Sequence, residues 1–172
     1  MKKIIVLIAL VIAPAVTFGQ SMFDKLENMD EVSSFIINKD AFQLLQKFNP
    51  DMSGDNEAVE VFKMIQNLKE LKVFKTSNAN VAKTMETMVT SAVKKSNLTE
   101  LMRMKDKDAR VKIYVKTNGK KDYVSEVLMY VNGVSRVTEG NAESVIVSLT
   151  GMIDINKLSS LADKFAHDGK KS

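Results

Sequence analysis

The stretch VKIYVKTNGKKDYVSEVLMYV, residues 111–131, decides the fold. Val111, Ile113 and Val115 alternate with Lys112, Tyr114 and Lys116, the period of two of a half-buried antiparallel strand. Asn118-Gly119 is the dipeptide that hairpin turns select, because both residues tolerate positive φ. Tyr123 to Val131 returns as the partner strand. It is apolar on both faces, which predicts a central position in a sheet.

Working outward, Leu98 to Met104 and Ser144 to Thr150 read as further strands on either side of this hairpin. Upstream, the spacing of Val81, Met85, Met88, Val89, Ala92 and Val93 makes one buried stripe of a helix opened by Asn78 or Asn80. Leu71 to Lys75 alternates as a strand. Val32 to Ile37 is a short β-branched and aromatic run, also a strand. Asn38 caps a helix over 39–48, with Phe42, Leu45 and Phe48 on one face, and Pro50 stops it. Residues 49–54 form a loop, and Asp55 or Asn56 caps a second helix running to about Leu68. Gly151 ends the last strand, and Asp154 caps a closing helix with Ile155, Leu158, Leu161, Ala162 and Phe165 inward. The order is strand, two helices, strand, helix, four strands, helix. Consecutive strands on short turns predict an α+β fold, a mainly antiparallel sheet with helices packed on one face, in a single domain over 20–165.

Residues 1–19, MKKIIVLIALVIAPAVTFG, have the layout of a secretory signal peptide: Lys2 and Lys3, an apolar core, then small residues before Gln20. The apolar run is interrupted by Pro14 and falls short of the roughly 20 residues of a spanning helix. The style is bacterial, and no cysteine follows the cut to carry a lipid. The expectation is an exported chain, periplasmic or extracellular, cleaved near Gly19-Gln20, with no transmembrane segment thereafter. Loss of Lys2 and Lys3 would lower the net charge from +4 to +2, so overall charge offers no argument for nucleic acid. Charge is nevertheless uneven. Asp24 to Glu60 is strongly acidic, whereas Arg103 to Lys121 holds Arg103, Lys105, Lys107, Arg110, Lys112, Lys116, Lys120 and Lys121 against Asp106 and Asp108.

Catalysis is not expected. The single histidine, His167, falls in the tail expected over 166–172, where no neighbour can hold a base in place. Cysteine is absent, which removes the common zinc and copper(II) ligand sets, and no glycine-rich phosphate loop occurs. Neither metal nor cofactor is expected. The methionine pairs Met85/Met88 and Met102/Met104 could suit copper(I), but their periodicity assigns both to the interior as packing. The candidate binding surface is Lys112, Tyr114, Lys116, Lys120 and Lys121. There an outward aromatic between lysines would meet an anionic partner; the competing reading is a solvated strand face with Tyr114 in a cross-strand pair.

VSSFIINKDAFQLL (32–45), LKELKVFKTSN (68–78), SEVLMYVNG (125–133) and VIVSLTGMIDINKLSSLA (145–162) together resemble the domain of unknown function 4252, a group of small exported bacterial proteins. The closing strand-Gly-Ile-Asp-helix pattern is the most specific part, and Val134 to Asn141 departs from it. The resemblance implies an exported α+β domain and supplies no catalytic residues. The leading functional expectation is a non-enzymatic domain that binds an envelope protein or an anionic envelope component. The alternative is a periplasmic carrier of a small apolar or anionic ligand, which an apolar cavity beside Met102 and Phe74 would support.

Overall fold

The computed structural model describes residues 18–47, 67–106, 109–119, 122–133 and 142–156. The apolar core of the expected signal peptide, most of the helix expected over 55–68, the loop expected at 134–141 and the closing helix expected beyond Asn156 lie outside the described residues. So do Lys120, Lys121 and the tail with His167.

In chain order the elements are α1 (Phe18–Glu27), β1 (Val32–Ile37), α2 (Lys39–Lys47), β2 (Leu68–Thr76), α3 (Ala79–Lys95), β3 (Thr99–Asp106), β4 (Ala109–Thr117), β5 (Tyr123–Asn132) and β6 (Ser144–Asp154). The strands form one sheet in the order β1-β2-β6-β5-β4-β3, and every neighbouring pair is antiparallel. The α+β reading therefore holds, and β5 lies between β4 and β6 as its two apolar faces require. β3 to β6 is a meander that enters from the far edge and docks β6 against β2. Helix α3 spans that meander, carrying the chain from β2 to β3.

Alternation along the strands divides the core in two. Phe74, Leu128, Tyr130 and Ile146 rise from one face to meet Phe23 and Leu26 of α1 and Val81, Met85, Val89 and Ala92 of α3. Leu71, Val115, Val127 and Leu149 point the other way, where Phe42 of α2 packs with Leu68, Val124 and Ile153. Thus α1 and α3 share one face, while α2 lies on the opposite one and departs from the expected packing of all helices on a single face. The reason is local: Ile37 ends β1 on that second face, and the chain turns directly into α2 beneath it.

Three element readings need correction. The first is α1, an element missing from the expected order. Met22, Phe23, Leu26 and Met29 carry helical spacing, and Phe23 and Leu26 are fully buried between sheet and α3. The second is the start of β2, which begins at Leu68, where a helix was expected to end. The third is β6, which continues through Gly151 to Asp154. Asp154 does act as a cap, its Oδ1 accepting from the Asn156 N–H at 2.9 Å.

The helix ends follow the residue chemistry. Asn78 is the cap of α3, its Oδ1 accepting from the N–H groups of Asn80 (2.8 Å) and Val81 (3.2 Å). At the far end Asn97 adopts φ 52°, the Leu98 N–H reaches Val93 O at 2.9 Å, and Leu98 folds into the core. With the Asn97 N–H donating to Lys94 O at 3.4 Å, the ending is a Schellman motif, with asparagine where glycine is more usual. It aims the chain straight into β3. Lys72, buried on the helical side of β2, sits 3.3 Å from Asp24 and 3.5 Å from Glu70, fastening α1 to the sheet.

Candidate functional site

β4 carries Arg110, Lys112, Tyr114 and Lys116 on one side, as alternation predicts, and that side is the one that bears α3. Lys112 reaches Glu86 of α3 at 3.9 Å and is half-buried. Tyr114 packs against the core beneath α1 and α3, opposite Leu128. Burial, reinforced by the Glu100 carboxylate, holds its phenol above the ordinary tyrosine range. Of the two readings of Tyr114, an outward contact or a packing residue, its position fits packing, because the strand face that looks polar in sequence lies beside a helix. Lys116 is exposed and stands opposite Glu126.

The register of β3 adds residues that the candidate set left out. An extra residue, Leu101, forms a bulge between Glu100 and Met102. Beyond it Arg103 lies directly opposite Lys112, and Lys105 directly opposite Arg110. Four cations therefore occupy two adjacent rows at the corner of the sheet. Acids answer part of this charge: Arg103 Nη2 bonds Glu100 Oε2 at 2.7 Å, and that bond and charge raise the guanidinium pKa further. Lys105 and Arg110 are exposed and have no ion pair among the described residues. Like charges directly opposite across a ladder are destabilising, so this corner is poised to gain from an anion. The signal was present in the basic run from Arg103 onward, but which of its members face each other depends on the bulge.

The bulge and the edge position also correct the methionines. Met85 is fully buried, as read, whereas Met102 is 42% and Met104 53% exposed. Among the described residues no strand lies beyond β3, so side chains whose period says interior stand at a rim. Met102 pairs with Ile113, on the face opposite Phe74, so the two do not line one cavity. Among the described residues no group of three or more His, Cys, Asp or Glu is placed to hold a metal ion, and no helix among them is long and apolar enough to cross a membrane.

Toward the other end of β4, on the same face, Glu126 is half-buried between Lys116 and Thr150 on the adjoining strands. Burial raises its carboxyl pKa, and the charge of Lys116 opposes that only in part. The unfolded chain, with its lower pKa, releases this proton first as pH rises, so the group costs the folded state stability above the usual carboxylate range. Glu126→Gln should therefore stabilise the protein at pH 7, with the gain disappearing below about pH 4. Urea midpoints at the two pH values test this; an equal gain at both would refute it.

A family model described as Domain of unknown function (DUF4252) matches residues 23–161, spanning every strand of the sheet. No curated protein and no solved structure matches the chain. The match covers both faces of the core and the cationic corner alike: the chain belongs to the DUF4252 family.

Proposed function

We propose that this protein is an exported, non-enzymatic binding domain of the bacterial cell envelope, which holds an anionic envelope component at the β3–β4 corner. One observation carries the reading: Arg103 against Lys112 and Lys105 against Arg110, two like-charge rows side by side on one face. Glu100 and Glu86 answer the first row from within, whereas the second has no ion pair among the described residues and gains when negative charge arrives from outside. The signal-peptide layout of residues 1–19 supports export and an envelope setting. Tyr114 stands in the next row of the same face, beside Lys112, and Lys116, with Lys120 and Lys121 following it in sequence, extends the positive charge toward the hairpin turn.

Lys105 and Arg110 make the cleanest test, since Lys112 also fastens α3 through Glu86 and its reversal would disturb packing. The exported chain, as the cell processes it, should sediment with its own envelope fraction at low salt. Lys105→Glu/Arg110→Glu should lower that association roughly tenfold or more, and salt near 0.3 M should weaken the wild type in the same direction. Equal sedimentation of wild type and variant at low salt would sink the proposal.

A further inference from the structure

We infer that the anionic partner is a lipid bilayer surface, and that the β3–β4 pair enters it edge first; this rests on the anion-binding reading above. The sequence of β3 alternates in chemistry as well as in direction: Met102, Arg103, Met104, Lys105. On one face Met102 pairs with Ile113 and Met104 with Val111, while on the other Arg103 pairs with Lys112 and Lys105 with Arg110. The rim of the sheet is therefore an amphipathic ribbon, with an apolar square backed by a cationic one. Leu101, the extra residue of the bulge, adds to the apolar side of the balance, and it is 52% exposed. The other exposed large apolar groups among the described residues, Phe35, Leu44 and Met152, lie on other elements, β1, α2 and β6.

A bilayer interface is the partner that fits both halves at once. Apolar side chains enter the boundary of the acyl region, and long lysine and arginine side chains reach back to anionic headgroups. Methionine suits a fluid, disordered surface better than a shaped pocket, because its unbranched thioether adapts. A protein partner adding a strand is disfavoured by the edge itself. β3 is bulged, and it carries Glu100, Arg103 and Lys105, the devices that turn strand addition away.

The protein has no tryptophan, so a single Met102→Trp reports on insertion without background. Vesicles of phosphatidylcholine with about a third phosphatidylglycerol, against phosphatidylcholine alone, supply the surface. The wild type should bind the anionic vesicles alone. In the Met102→Trp variant the indole emission should shift to the blue and be quenched by brominated acyl chains. Leu101→Ser/Met102→Ser/Met104→Ser should lower vesicle partitioning at least tenfold, and Lys105→Glu/Arg110→Glu roughly twentyfold or more. All three replaced apolar side chains are exposed, so thermal unfolding should show the serine variant folded. Vesicle binding with no blue shift and no effect of the serine changes would mean adsorption by charge alone and would overturn the inference. Charge-dependent association with the envelope fraction, but none with protein-free vesicles, would overturn it too while leaving the anion-binding reading in place. Binding to neither would remove both.

Discussion

Replacing Gly151 with alanine is expected to destabilise the protein by roughly 3–5 kcal/mol, through backbone strain and overpacking together. Gly151 lies within β6 at φ +143°, a region that side chains rarely enter. A Cβ there would stand 2.5 Å from Asn67 O, 2.7 Å from Leu68 Cα and 2.9 Å from Lys69 N. All three are backbone atoms at the start of β2, so no side chain can swing aside. The Asn67 carbonyl also accepts from the Met152 N–H at 3.0 Å, and moving it away would unpair the ends of two central strands. Gly119, in the β4–β5 turn, is the internal control. It has φ +82° but nothing within 4 Å of its added Cβ, so Gly119→Ala carries only the conformational cost of about 1 kcal/mol. Urea unfolding of the two variants separates the terms, and similar losses at both glycines would show that close approach is not what Gly151 provides.

The second large effect is expected at Phe74. Its ring is fully buried at the centre of β2 and meets Phe23 of α1 with centroids 6.0 Å apart and planes tilted by 37°. Val81, Met85, Leu128 and Ile146 belong to the same buried cluster, so four elements besides its own converge around it. Phe74→Ala should cost roughly 3–5 kcal/mol, lost transfer energy plus a cavity that the two-layer packing cannot close. Phe74→Leu, which keeps most of the volume, should cost roughly 1–2 kcal/mol. The measurement is the shift of the urea midpoint at constant slope. An alanine variant as stable as the leucine one would mean that α1 collapses onto the sheet and fills the space. With cysteine absent, this burial has no covalent support.

Elements whose causes are local were legible from residue order. The alternation in β4, the doubly apolar β5, the Asn78 cap and the helical stripe from Val81 to Ala92 all need only near neighbours, and each is where its pattern put it. Gly119 takes the positive φ that the Asn-Gly pair announced, although the connection there runs from Asn118 to Asp122 and is longer than the two-residue turn. Helix α1 is absent from the expected order even though Met22, Phe23, Leu26 and Met29 carry the spacing, because the cleavage expected near Gly19-Gln20 falls inside the same short stretch. The extension of β6 through Gly151 was hidden by a sound rule: glycine commonly ends a strand. Here it instead permits β2 to approach closely.

The candidate site shows the same division. Period two placed Lys112, Tyr114 and Lys116 on one side of a strand, and they share it. Whether that side met water or a helix depended on where α3 crosses the sheet, and the crossing decided between contact and packing at Tyr114. Met102 and Met104 had an interior pattern, but an edge strand has no neighbour to bury them. The opposition of Arg103 to Lys112 and of Lys105 to Arg110 required the register itself, which the Leu101 bulge shifts by one residue. Sequence alone therefore determined β1, the bodies of β2 to β6, α2 and α3, the alternation of their sides and the stretch of chain that carries excess positive charge, because these follow from a residue and its near neighbours. Tertiary structure alone decided which strand became an edge, which side of β4 was covered and which cations stand face to face, because those depend on pairings between residues far apart in the chain.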